Sequence, residues 1–199
     1  MAEVPSIVPV HTQIDNLLTH DECMSIRGFF LDHVEQNGWR PATIYKGDQK
    51  AGSGVDDPEQ RKGKVYFEQG RIPYTSKLVA AMEQYAARKN IQLDVDRVDW
   101  QFSKYEIGDK FIEHKDSHLN PSHFHPGIRK ISLTVQLSEP EDYEGGVLRV
   151  QTSHKTYAHI NTKIGTTEIF PSWLNHSLTE VTSRTRNALV GWYKGPFWI

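Results

Sequence analysis

The segment Ile131-Ser132-Leu133-Thr134-Val135-Gln136-Leu137 alternates apolar and polar residues without a break. Successive side chains of a β-strand point to opposite faces. Ile131, Leu133, Val135 and Leu137 therefore share one face, and Ser132, Thr134 and Gln136 share the other. Polar groups pointing into a barrel are costly unless something hydrogen-bonds them. Val98-Asp99-Trp100-Gln101-Phe102 alternates in the same way. Gly145-Gly146 precedes Val147-Leu148-Arg149-Val150, and residues 166–170 and 187–193 read as further short strands. From about Asp94 onward, short strands broken by Gly, Pro and Asp predict a sandwich or barrel.

The first half reads as mixed α and β. Thr19-His20-Asp21-Glu22 is a capping-box pattern. Met24, Ile26, Phe29, Phe30 and Val34 follow at helical spacing, and Gly38 would end that helix. Residues 39–45 look like a strand. Residues 46–64 are rich in Gly, Asp, Lys and Arg, with little periodicity. At that length the stretch is either disordered or a functional loop. Thr75 or Ser76 would cap a second helix through Leu78, Val79, Met82 and Tyr85.

Composition narrows the partners. A chain of 199 residues without internal repeats is one domain by default. Its net charge of −2, with no long basic run, argues against nucleic acid or an anionic membrane as the main partner. Cys23 is the single cysteine, so no internal disulfide forms. No apolar run approaches ~20 residues, the length of a membrane span. Residues 1–16 lack the regions of a signal peptide. A reducing, cytoplasmic setting is the expectation.

The chemistry concentrates in His114-Lys115-Asp116, His176 and Arg186. With ten histidines and twelve aspartates, about 0.6 His-x-Asp pairs arise by chance, so the pair alone is weak. Its context is stronger. His114 and Asp116 at a strand end point the same way, and His176 would come from another strand. Two histidines and one carboxylate are the ligand set of a non-haem Fe(II) oxygenase, with open positions for co-substrate and O2. Arg186 lies ten residues after His176. A turn and a return strand would bring it alongside, where a guanidinium can grip a carboxylate through two hydrogen bonds.

The segment from Gln101 to Asp116 contains Tyr105, Gly108, Phe111, His114 and Asp116 in the order Tyr-x-x-Gly-x-x-aromatic-x-x-His-x-Asp. Leu137 to Gly146 reads as a turn between barrel strands. Phe170-Pro171-Ser172, His176, Val181, Arg186 and Trp192 form a closing segment, and Ile14-Asp15-Asn16-Leu17-Leu18 an opening one. Together they resemble the Fe(II)/2-oxoglutarate-dependent dioxygenase superfamily, in its prolyl 4-hydroxylase-like branch. Two departures stand out: Phe111 replaces a tyrosine of many members, and Arg186 replaces the lysine of many collagen-type members.

The resemblance implies a mainly β fold with supporting α. A double-stranded β-helix (jelly-roll, cupin-like) core would span residues 94–199, and residues 1–93 would supply N-terminal helices, strands and a loop to the same single domain. It implies His114, Asp116 and His176 as iron ligands. Arg186 would take the distal carboxylate of 2-oxoglutarate and Tyr105 would donate its hydroxyl to the same molecule. Thr134, Gln136, Leu148 and Trp192 complete that pocket. Fe(II), 2-oxoglutarate and O2 would be used, with ascorbate as an accessory reductant. The products would be succinate, CO2 and a hydroxylated C–H carbon, first of all on a peptidyl proline.

The alternatives are a hydroxylase of a free amino acid or other small molecule, a non-catalytic jelly-roll binding protein, and, less well suited to the acidic balance, a nucleic-acid demethylase. For Tyr105 the plain alternative is a core tyrosine with a satisfied hydroxyl. His118, His123 and His125 read as exposed loop residues, with a second metal or the substrate mouth as alternatives. Arg61, Lys62 and Lys64 read as a solvated charged face or a lid, and Arg129 and Arg184 as solvent-facing or paired. The aromatic stretch 191–198 would pack on the barrel.

Overall fold

Helix α1 (His20–Asn37) starts where a capping box satisfies its free N–H groups. The Thr19 hydroxyl accepts from the Glu22 amide, and the Glu22 carboxylate accepts from the Thr19 amide at 2.8 Å. Gly38, at φ 76°, ends the helix with its N–H on the Val34 carbonyl. Helix α2 (Thr75–Lys89) follows a different rule. Neither Thr75 nor Ser76 caps it. Tyr74 stands at the cap in a left-handed conformation without a side-chain hydrogen bond, and the Thr75 hydroxyl donates back to the Ile72 carbonyl at 2.6 Å.

The computed structural model describes residues 10–44, 54–68, 70–94, 98–117 and 127–196. Ahead of α2 lie β1 (Thr12–Ile14), β2 (Arg40–Pro41), β3 (Arg61–Lys62) and β4 (Lys64–Glu68). After it come β5 (Val98–Tyr105), β6 (Lys110–His114) and β7 (Ile128–Gln136). A 3-10 turn at Pro140–Asp142 leads into β8 (Tyr143–Gly145), β9 (Leu148–Ser153) and β10 (Thr156–His159). The chain closes with β11 (Thr167–Pro171), β12 (His176–Leu178), β13 (Val181–Arg184) and β14 (Arg186–Gly195).

The strands form a larger sheet in the order β1-β11-β7-β14-β5-β4-β2, a smaller one in the order β10-β9-β12-β6-β3, and a β13-β8 ribbon. Their pairings are antiparallel. This is the jelly roll expected from the sequence. Residues before Asp94 do more than support it, because β1 and β4 extend the larger sheet and β3 the smaller.

Period-two alternation sets the layers. The aliphatic face of β7 and the Trp100–Phe102 face of β5 pack against α1 and α2 in one core, with Phe30 stacked on Phe102 at 5.2 Å. The other face of the larger sheet meets the smaller sheet in a second cluster of Tyr105, Leu148, Val150, Phe170 and Leu178.

Two local expectations change. The strand expected over 39–45 shrinks to Arg40–Pro41, with a single bridge between Ile44 and Val55. Pro41 has no N–H for a ladder. The stretch expected as a loop over 46–64 contains β3 and the first residue of β4; its residues 46–53 lie outside the described ones.

Glu168 on β11 is fully buried. One carboxylate oxygen meets His11 Nδ1 at 2.5 Å and the other has no partner among the described residues. The contact has ion-pair geometry, yet burial pushes the Glu168 carboxyl up to about 8 and the His11 imidazole down. Nothing offsets the desolvation of two charges there, so the pair is neutral near pH 7. Because the folded Glu168 holds its proton more tightly than the unfolded one, stability falls as the pH rises from 4.5 to about 8. His11 works in the opposite sense below 6.5. The net loss is therefore clearest between pH 6.5 and 8, at about 1.5 kcal/mol. Urea unfolding of metal-free Glu168→Gln is expected to show this slope flattened; an unchanged slope would mean Glu168 is ionised in the fold.

Candidate metal centre

Strands β6 and β12 are hydrogen-bonded neighbours, and His114 and His176 sit directly opposite each other in their register. Asp116 follows just past the end of β6. One ligand-type atom from each residue lies within 4.8 Å of the others. His176 Nε2 is 3.3 Å from Asp116 Oδ2, and His114 Nε2 is 3.7 Å from Oδ1.

Backbone carbonyls fix the imidazoles. His114 Nδ1 meets the Ile112 carbonyl at 2.8 Å and His176 Nδ1 meets that of Leu174 at 3.0 Å. A carbonyl only accepts, so each Nδ1 carries a hydrogen and each Nε2 is the nitrogen turned toward Asp116. This carbonyl-oriented arrangement is the one metal-ligating histidines use. Two Nε2 lone pairs and a carboxylate at this spacing fit a divalent iron.

Asp116 is held from behind. The Ser132 hydroxyl donates to Oδ2 at 2.6 Å and lies 2.9 Å from the Ser172 hydroxyl. The amides of Asp116 and Ser117 both donate to the Ser172 carbonyl at 2.9 Å. Burial alone would raise the Asp116 carboxyl, but the neighbouring His176 charge outweighs it and holds the carboxyl well below the usual range. Burial and the neighbouring His176 push His114 down to about 4, so it is neutral. Burial would also lower His176, but the Asp116 charge outweighs it and the imidazole is raised. A cation held by the three residues would supply positive charge beside Asp116 in the same place.

One wall of the same cavity, which opens to solvent, carries the residues expected to meet a co-substrate. Arg186 begins β14 opposite Tyr105 of β5. Its NH2 donates to Gln136 Oε1 at 2.8 Å, and its buried Nε has no partner among the described residues. Tyr105, Thr134, Leu148 and Trp192 line the cavity with Arg186; Gln136 does not, and acts on it only through Arg186. The Gly145-Gly146 turn lets the chain pass closely here. Both residues have positive φ, and a Cβ on Gly146 would fall 2.8 Å from Arg186 Cδ.

The sequence reading left several contacts of the site unassigned. Phe111 stacks on His114 with centroids 3.4 Å apart. Ser132 was legible as an inward polar residue, but not as the partner of Asp116. Arg61, expected on a solvated face or lid, lines the cavity with its guanidinium over Phe111. Its only sequence signal is the short alternation that continues into β4. Arg129 is only partly exposed and lies over the Trp192 ring at 3.7 Å. Arg184 is exposed, as expected. His118, His123 and His125 and residues 197–198 lie outside the described residues.

Residues 100–194 match the family model of the 2OG-Fe(II) oxygenase superfamily. A PKHD-type hydroxylase of Prochlorococcus marinus (strain NATL1A) is 38% identical over 91 residues, covering 46% of this chain and 39% of that protein. The chain thus matches about two fifths of the length of such relatives. A PKHD-type hydroxylase of Caulobacter sp. (strain K31) is 26% identical over 182 residues, 90% of this chain and 76% of that protein. Among solved structures, a Pseudomonas putida prolyl-4-hydroxylase superposes with a TM-score of 0.69 over 94% of each chain at 17% identity, which shows the shared fold. With His114, Asp116 and His176 gathered on one side of its cavity, the chain is similar over residues 100–194 to the 2OG-Fe(II) oxygenase superfamily.

Proposed function

We propose that the chain is an Fe(II)- and 2-oxoglutarate-dependent hydroxylase whose primary substrate is a prolyl residue in a peptide or protein. One observation carries the reading: the Nε2 atoms of His114 and His176 and the Asp116 carboxylate converge on a cavity lined by Arg186, whose buried Nε has no partner among the described residues. Iron bound there would supply O2 activation coupled to decarboxylation of 2-oxoglutarate, giving succinate, CO2 and a hydroxylated C–H carbon.

The chain's own residues prepare that chemistry. His114, Asp116 and His176 would hold the metal. Arg186, backed by Gln136, takes the distal carboxylate of the co-substrate. The Tyr105 hydroxyl donates to the same molecule, and Thr134, Leu148 and Trp192 shape the chamber and limit water. The prolyl assignment draws support from the prolyl-4-hydroxylase that shares the fold.

The test is succinate formation by anaerobically reconstituted Fe(II) protein given 2-oxoglutarate and O2, with and without proline-containing peptides and free amino acids. Peptide-stimulated succinate and a product heavier by one oxygen atom are expected. His114→Ala and Asp116→Ala should abolish both, and full activity in either would remove that residue from the ligand set. Stimulation by a free amino acid alone would transfer the case to small-molecule hydroxylation.

Arg186→Ala should raise the KM for 2-oxoglutarate about ten- to hundred-fold, as loss of a charge-assisted contact of about 1.5–3 kcal/mol implies. The KM for the primary substrate should move far less. Gly146→Ala presses on the same guanidinium stem and strains a positive-φ turn. It should raise the 2-oxoglutarate KM in the same direction while iron content stays at the wild-type level; an unchanged KM would show that the turn yields without moving Arg186.

A further inference from the structure

The hydroxylase reading leaves two guanidinium groups of the cavity region without a task. Arg61 of β3 sits opposite Phe111 in the β3–β6 register, its guanidinium 4.5 Å from the ring centroid. Phe111 stacks on His114, so Arg61, Phe111 and the metal-site imidazole form one column. Two contacts hold the fork: NH1 donates to the Thr43 carbonyl at 2.8 Å and NH2 to Gln101 Oε1 at 3.3 Å. Its Nε is buried without a partner among the described residues.

Arg129 of β7 lies over the ring of Trp192, which lines the same cavity and whose buried Nε1 also has no partner among the described residues. The ion pairs among the described residues include neither arginine. The rings beneath them, Phe111 and Trp192, line the same cavity. Burial disfavours the Arg129 cation, Asp116 and Asp99 favour it, and Arg61 opposes it.

Charge balance sharpens the point. A divalent metal on Asp116 and a dicarboxylate on Arg186 leave that part of the site neutral overall. Arg61 and Arg129 are then uncancelled positive charges beside a partly desolvated cavity. Buried like charges are costly unless an anion joins them, and a guanidinium fork matches a carboxylate.

We propose that Arg61 and Arg129 bind a carboxylate of the primary substrate, so that preferred substrates carry an acidic group beside the carbon that is hydroxylated. This rests on the hydroxylase reading above and narrows its substrate class. The carboxylate has two sources: an acidic side chain next to a proline in a peptide, or the free α-carboxylate of an amino acid or peptide end.

Binding rather than turnover tests it. The Fe(II) protein with 2-oxoglutarate is titrated calorimetrically without O2, using matched probes. One pair is the capped peptides acetyl-Glu-Pro-Gly-amide and acetyl-Gln-Pro-Gly-amide; the other is proline and prolinamide. Wild type is expected to favour the carboxylate member of at least one pair by about tenfold. That preference should collapse in Arg61→Gln and Arg129→Gln and return in part in Arg61→Lys. Preference in the capped pair assigns the carboxylate to a side chain; preference confined to proline assigns it to the α-carboxylate.

A wild-type protein that favours the carboxylate in neither pair overturns the proposal. So does a preference that survives in both glutamine variants. Iron and 2-oxoglutarate binding are titrated first on the same preparations. Their absence would sink the hydroxylase reading, while the carboxylate preference, measured on the protein as prepared, would still decide the anion site.

Discussion

Strands β5, β7 and β14 lie side by side, and each must serve two environments at once. One face of each packs on the helices, where Trp100, Phe102, Leu133 and Leu189 are almost completely buried. The other face carries Tyr105, Ser132, Thr134, Gln136 and Arg186 toward the metal and co-substrate region. Burying each large apolar side chain contributes about 1.5–3 kcal/mol, and a one-residue slip would exchange the faces. Such a slip would drive Arg186 and Gln136 into the aromatic layer under Phe30 and strip the cavity of its polar groups. The hydrophobic effect therefore aims the site as well as holding the sheet.

On the smaller sheet, the constraint is a few hydrogen bonds of fixed sense. Carbonyls of Ile112 and Leu174 leave each imidazole one tautomer, and Ser132 holds the carboxylate between them. Taking a carboxylate out of water is costly unless charge and hydrogen bonds offset it. Asp116 has both, from His176 and from Ser132. The arrangement that makes its burial tolerable also gathers the three residues that could hold a divalent cation.

What could be read in advance follows from these two constraints. Alternation over Ile131–Leu137 disclosed the two faces of β7 because a long central strand must obey period two along its whole length. The Thr19–Glu22 cap was legible because its partners are three residues apart. His114, Asp116, His176 and Arg186 were legible as a set through their spacing and the motifs around them. Elements β3 and β4 were not: strands of five residues or fewer show too little periodicity, and glycines and lysines surround them. The start of α2 escaped because its chain reversal uses a left-handed Tyr74, a residue type with no special preference for that conformation. The pairing of Ser132 with Asp116 escaped for another reason. Alternation tells which way a side chain points, but not which residue from another strand will meet it.

Arg61 shows where this kind of legibility ends. Its place depends on the register of a two-residue strand against β6 and on a flat apolar ring at position 111. A tyrosine there would carry a hydroxyl that needs its own partner when buried. Phenylalanine instead offers two plain faces, one to His114 and one to the guanidinium. The metal and co-substrate groups sit on strands tied into sheet interiors. Arg61 sits on the border strand of the smaller sheet, and Arg129 lies near the start of β7. Substitutions at those two positions can alter what charge the cavity welcomes while leaving the ladders that position His114, His176 and Arg186 in place. In this fold the metal-site residues follow from strand alternation, whereas the place of Arg61 rests on border contacts that no local pattern announces.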